Sequence, residues 1–107
     1  IDIFAHPTNR LINEREPLDL DMAAVVEAAA AANIALEING QPERLDLDWQ
    51  HVKEFRDAIG YVASTDAHGP PELDLMHLAV SQARRGWCTA ENVLNTRPLD
   101  ELLNYFA

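Results

Sequence analysis

The chain has one cysteine and four glycines, and only eight of its 107 residues are lysine or arginine, against eighteen aspartates and glutamates. The lone Cys88 excludes an internal disulfide and suits a reducing cytoplasm, where its expected role is that of a small buried hydrophobe. The net charge of −10 disfavours nucleic acid as a partner for this surface unless metal ions or basic neighbours compensate. No apolar run approaches the roughly 18 residues of a membrane span. The sequence also lacks a Gly-Lys phosphate loop, paired zinc-finger cysteines, a basic aromatic surface and a Gly-rich nucleophile elbow around Ser64. Its acidic, β-like opening is unlike a signal peptide. Starting at Ile1, inside a strand-like run, it reads as a piece of a longer protein.

What is present is ordinary globular composition, 48% hydrophobic and 24% charged, enough for one domain at most. Residues 1–5 read as a strand and 19–32 as an alanine-rich helix with Asp19 and Asp21 at its positive end. Residues 34–39 form the next strand, closed by Gly40 and Pro42. An amphipathic helix is expected over 48–59, capped by Asp48, with Trp49, Val52, Phe55 and Ile59 on one face. Gly60 ends it and 61–65 is a third strand. Pro70 and Pro71 precede a helix over 72–85, with Leu73, Met76, Val80 and Ala83 inward, and Gly86 stops it. Thr89 caps a short helix near 89–95, and a last helix runs from Pro98 to Phe106 with Asp100 and Glu101 in its first turn.

This alternation predicts an α/β fold with parallel strands. Three strands close no barrel, so the first and third are expected to need further partners in a larger architecture. Exposed edges and interior would invite self-association or instability.

In a parallel α/β layout, the residues after the strands' carboxyl ends share one face. His6 follows the first strand, Glu37 and Asn39 lie in the second, and Asp66 and His68 follow the third. Side chains two apart on an extended segment point the same way, so Asp66 and His68 can converge on a divalent ion such as Zn or Mn. Blander roles exist for each. His6 precedes Pro7 and could cap a turn, Asp66 could serve a turn before Gly69-Pro70-Pro71, and Glu37 could pair with Arg44 or Arg10. Arg10 lies on the site-side loop, where a guanidinium could clamp a phosphate. His51 and His77 read as solvated or packing residues, and Arg84-Arg85 as charges suited to a helix end.

Asp2 to Arg10, Leu36-Glu37-Ile38-Asn39 and Ser64-Thr65-Asp66-Ala67-His68 resemble the later motifs of the PHP (polymerase and histidinol phosphatase) superfamily. Ala83-Arg84-Arg85-Gly86-Trp87 and Asn92-Val93-Leu94-Asn95-Thr96 look like the C-terminal end of bacterial family X DNA polymerases, which carry a PHP domain. The resemblance spans residues 1–107 and implies the C-terminal portion of a distorted (β/α)7 barrel with up to three Zn or Mn ions. It implies His6, Asp66 and His68 as metal ligands, Asp66 and His68 acting in catalysis through metal, with Glu37 and Asn39 supporting them. The implied activity is a 3′–5′ exonuclease or DNA 3′-end phosphodiesterase serving DNA repair. The implied partners are the rest of the barrel, the polymerase domain and DNA 3′ ends. An inert fragment and a histidinol-phosphatase-like phosphomonoesterase are the alternatives. The family's earlier ligand motifs find no match here. Asn9 stands where the family usually has glycine, a mild departure because Asn tolerates left-handed backbone.

Overall fold

A computed structural model describes all residues, Ile1–Ala107. Its sheet has three parallel strands, β1 (Ile3–Phe4), β2 (Ala35–Asn39) and β3 (Tyr61–Ser64), lying in chain order. Four helices accompany them: α1 (Met22–Ala31), α2 (Trp49–Glu54), α3 (Met76–Arg85) and α4 (Leu99–Tyr105). The α/β expectation holds. No helix is long and apolar enough to cross a membrane.

Strand parity divides the sheet chemically. Leu36 pairs with Tyr61 and Ile38 with Ala63, so these four share one face. All are buried in one cluster with Met22, Val26 and Ala29 of α1, Val52 of α2, and Ala79 and Ala83 of α3. Glu37 pairs with Val62 and Asn39 with Ser64, and they occupy the opposite, largely polar face. Right-handed crossovers between strands laid in chain order place α1 and α2 on the same side, and α3 joins them in the buried cluster. The sheet is therefore apolar towards its helices and polar on the other side.

Several elements differ in extent from the sequence expectation. Helix α1 starts at Met22 because Asp21 is its cap, accepting the Ala24 amide at 3.1 Å. Helix α2 is capped by Asp48 as expected but ends at Glu54, and turns carry the chain on to the buried Ile59. Pro70–Leu75 forms a tight 3₁₀ segment and α3 begins only at Met76. This changes the phase of the helix. Leu73 (62% exposed) and Val80 (42%) face out, and the buried positions of α3 are Ala79, Gln82 and Ala83. Small residues are needed there because the chain passes closely. A Cβ on Gly40 would lie 2.6 Å from the Leu75 carbonyl oxygen and 3.2 Å from the Ala79 methyl.

Gly86 does end α3, but not through left-handed backbone. Its φ is −82°, and the left-handed residue is Trp87 at 66°. Glycine is required because a Cβ would sit 2.5 Å from Cγ1 of the fully buried Val52.

The expected helix at 89–95 is instead two 3₁₀ turns, Ala90–Asn92 and Leu94–Thr96, the first capped by Thr89. Val93 between them is extended and bridges to Tyr61 in parallel. The Asn95 side chain accepts the Ala63 amide and donates to the Ala63 carbonyl, both at 2.9 Å. One side-chain amide thus takes the place of a neighbouring strand. Both β1 and β3 are edge strands of this sheet; the outer side of β3 meets the Val93 bridge and the Asn95 amide, while β1, beside the exposed Ile1 and Ile3, has β2 as its strand partner.

Candidate functional site

The carboxyl ends of the three strands bring the sequence candidates into one hydrogen-bonded network. Glu37 lies at its centre. Its Oε1 accepts the His6 backbone amide at 2.8 Å and the Asn39 side-chain amide at 3.0 Å, and its Oε2 accepts the Ser64 hydroxyl at 2.5 Å. The fully buried Asn39 also donates to Oδ2 of Asp66 at 3.1 Å. Glu37 and Asn39 therefore connect His6 to Asp66 across all three strands. The suggested pairing of Glu37 with Arg44 or Arg10 does not occur. Strand β2 aims Glu37 at the neighbouring strand ends, while both arginines are held by a loop.

The loop carrying Asp66 and His68 is fastened by two residues that the sequence did not single out. Nε2 of Gln41 lies 2.9 Å from each of the Thr65 carbonyl, the Asp66 carbonyl and Oε1 of Glu72. Glu72 in turn accepts the His68 amide through Oε2 at 3.3 Å. The only available hint was their polarity beside Gly40 and Pro71, which is equally typical of turns.

The site is strained where it is built. Three non-glycine residues at or near strand ends have positive φ: His6 at 28°, Asn9 at 56° and Asp66 at 52°. Asn and Asp tolerate this region, but His6 pays of order 1–3 kcal/mol, a cost that clusters at functional sites.

The donor chemistry suits a metal, residue by residue. Nδ1 of His68 lies 2.7 Å from the Asp66 carbonyl oxygen. A carbonyl only accepts, so Nδ1 carries a proton, which leaves Nε2 as the nitrogen available to a ligand. His68 is exposed, and Asp66 uses only Oδ2 within the network. Nδ1 of His6 is buried without a hydrogen-bond partner in the chain, an arrangement that ordinarily costs about 1–3 kcal/mol. The number of donors is what falls short: no three His, Cys, Asp or Glu side chains gather around one point. This chain supplies ligand-ready groups without assembling a closed metal centre.

Arg10 is occupied. Its Nε and Nη2 donate to the Arg44 and Leu45 carbonyls, each at 2.6 Å, bracing the loop after β2. His51 is paired with Asp48 and His77 bonds the Asp74 carbonyl, both away from the strand ends. Cys88 is half-buried and burial raises its thiol pKa, in keeping with a packing role.

Beneath the His6–Asn9 turn lies Asp46, fully buried and also missed in the sequence. Its carboxylate accepts the Thr8 amide at 3.0 and 3.2 Å. Burial raises its pKa, opposed by the Thr8 amide and the Arg10 charge. A raised value means the folded state holds the proton more tightly. The stabilisation is complete below the ordinary value of 3.8 and is lost as pH rises through the folded-state value. Asp46→Asn keeps one acceptor for Thr8 and has no charge to bury. Urea midpoints of both proteins are expected to diverge in favour of the asparagine variant between pH 4 and 7; a difference that is constant or reversed would refute this account.

No family model matches the chain. It is 43% identical over 103 residues, 95% of its length, to the DNA polymerase/3′–5′ exonuclease PolX of Bacillus subtilis (strain 168). It spans 18% of that relative's length. The chain is thus related in sequence to a stretch of a polymerase/exonuclease.

Proposed function

We propose that this chain is the C-terminal part of a PHP-type metal-dependent phosphoesterase domain, joined in a longer protein to a family X DNA polymerase. There it hydrolyses phosphodiesters at DNA 3′ ends as a 3′–5′ exonuclease. One observation carries the reading: His6, Asp66 and His68 lie at the carboxyl ends of parallel strands, within a stretch 43% identical to a protein named as polymerase and exonuclease. The one-sided sheet supports the barrel, since a barrel wall also has helices outside and functional groups at its strand ends. The sheet's edges, β1 above all, are where further strands of the longer protein would add.

His6, Asp66 and His68 would hold Mn or Zn, up to three ions in all, with ligands from outside this chain. Such ions polarise phosphoryl oxygens and lower the pKa of bound water. The chain's own contribution is placement. Asn39 fixes Asp66 through Oδ2, the Asp66 carbonyl fixes the tautomer of His68, and Glu37 anchors the His6 turn.

Incubating the 107-residue chain with Mn and a 3′-recessed duplex is expected to release no nucleotides, whereas the longer protein releases them and stops on chelation. Hydrolysis by the chain alone at the longer protein's rate would show that the ligand set is complete within it. A longer protein without metal-dependent release would sink the assignment.

A further inference from the structure

Two of the chain's eight Lys and Arg side chains, Arg15 and Arg44, meet at Asn9, and a third, Arg10, braces the adjoining loop. The Asn9 side-chain oxygen accepts Nη2 of Arg15 at 3.0 Å and Nη1 of Arg44 at 3.2 Å, and its carbonyl accepts Nε of Arg15 at 2.8 Å. Arg44 also reaches the Arg10 carbonyl at 3.4 Å, while Arg10 donates back to the carbonyls of Arg44 and Leu45. Every partner is a neutral oxygen. None of the three forms an ion pair; the chain's two pairs are His51–Asp48 and Arg56–Asp57. In a chain whose carboxylates outnumber its Lys and Arg by ten, Arg15 and Arg44 sharing one neutral acceptor, neither paired with a carboxylate, are a conspicuous arrangement. Their mutual repulsion is relieved when an anion joins them.

Nη1 of Arg15 and both Nε and Nη2 of Arg44 make no hydrogen bond within the protein. Arg10 and Arg15 line an open cavity of about 430 Å³ formed by residues 10–17, just beyond His6 in the chain. Glu14 and Glu16 line the same cavity without pairing to either arginine. Guanidinium forks with free N–H groups match the tetrahedral oxygens of phosphate.

We propose that Arg15 and Arg44, with Arg10 bracing their loop, form a phosphate-binding subsite beside the strand-end residues. It deepens the function proposed above and rests on that reading for the source of the phosphate, a group of the substrate strand.

Isothermal titration of the 107-residue chain, in EDTA and at low ionic strength, tests the subsite with inorganic phosphate and thymidylyl-thymidine as separate probes. Arg15→Gln and Arg44→Gln are each expected to weaken binding about tenfold, the range for charge-assisted hydrogen bonds. The lysine variants keep the charge without the fork and should lose less, and Arg97→Gln, elsewhere on the chain, should lose nothing. Circular dichroism melts establish that each variant is folded; the lysine variants serve if a glutamine variant is not. Tighter binding of the dinucleotide assigns the site to a strand phosphodiester, and tighter binding of inorganic phosphate to a terminal phosphomonoester. No binding by the unmodified chain, or equal weakening by Arg97→Gln, overturns the subsite. Arginine-dependent binding without hydrolysis in the longer protein would remove the phosphoesterase reading and leave the subsite standing.

Discussion

Asp66→Ala or His68→Ala in the longer protein is expected to lower 3′–5′ exonuclease activity by more than about 100-fold, since loss of outer partners of metal ligands alone costs 10–100-fold. Polymerase activity should be unchanged. The expectation rests on the state in which the fold holds both residues. His68 donates from Nδ1 to the Asp66 carbonyl, leaving Nε2 basic, and Asn39 occupies one oxygen of Asp66 so that the other is free. Alanine at either position removes a donor without disturbing the apolar side of the sheet, because neither residue belongs to the buried cluster. The check is a paired assay of nucleotide release and primer extension, with bound metal measured by mass spectrometry. Full nuclease activity in either variant would remove both residues from the mechanism. Equal loss of both activities would indicate damage to the fold.

Glu37→Ala is expected to destabilise the chain by about 3 kcal/mol, a large part of the 5–15 kcal/mol typical of a domain. Its carboxylate receives three donors at once: the His6 amide, the Asn39 side chain and the Ser64 hydroxyl. Alanine leaves the His6 amide and Ser64 hydroxyl without this acceptor and the fully buried Asn39 amide with only Asp66, where water does not reach. The melting temperature should fall by about 10–15 °C for a domain of this size. Glu37→Gln should fall less, retaining one acceptor oxygen but presenting an N–H to one of the donors. Calorimetry of the three proteins decides the matter. A variant as stable as the parent would mean that these bonds exchange with water at little net cost.

Much of this architecture is legible in local pattern. Strand–helix alternation, the caps at Asp48 and Thr89 and the gathering of polar residues at strand ends follow from spacing and short-range hydrogen-bond chemistry. Asn9, read as tolerant of left-handed backbone, does adopt φ 56°. The inward face of α3 was not legible, because it depends on where a proline-led 3₁₀ segment hands over to the helix and on how near Gly40 approaches. Arg10 looked free to clamp a phosphate, yet its preferred partners are carbonyls more than thirty residues away.

By itself the sequence determined the class of fold, the order of its elements and the residue types at the strand ends, since these depend on periodicity and near neighbours. Only the tertiary structure decided that Glu37 links His6 to Asp66, that Gln41 and Glu72 fasten the Asp66–His68 loop, that Asn95 bonds the outer side of β3 at Ala63, and that Arg15 and Arg44 share Asn9. Each of these joins groups distant in the chain. Nothing local selects such a partner; it is chosen when buried or crowded polar groups must find the nearest complementary atom the packed sheet offers.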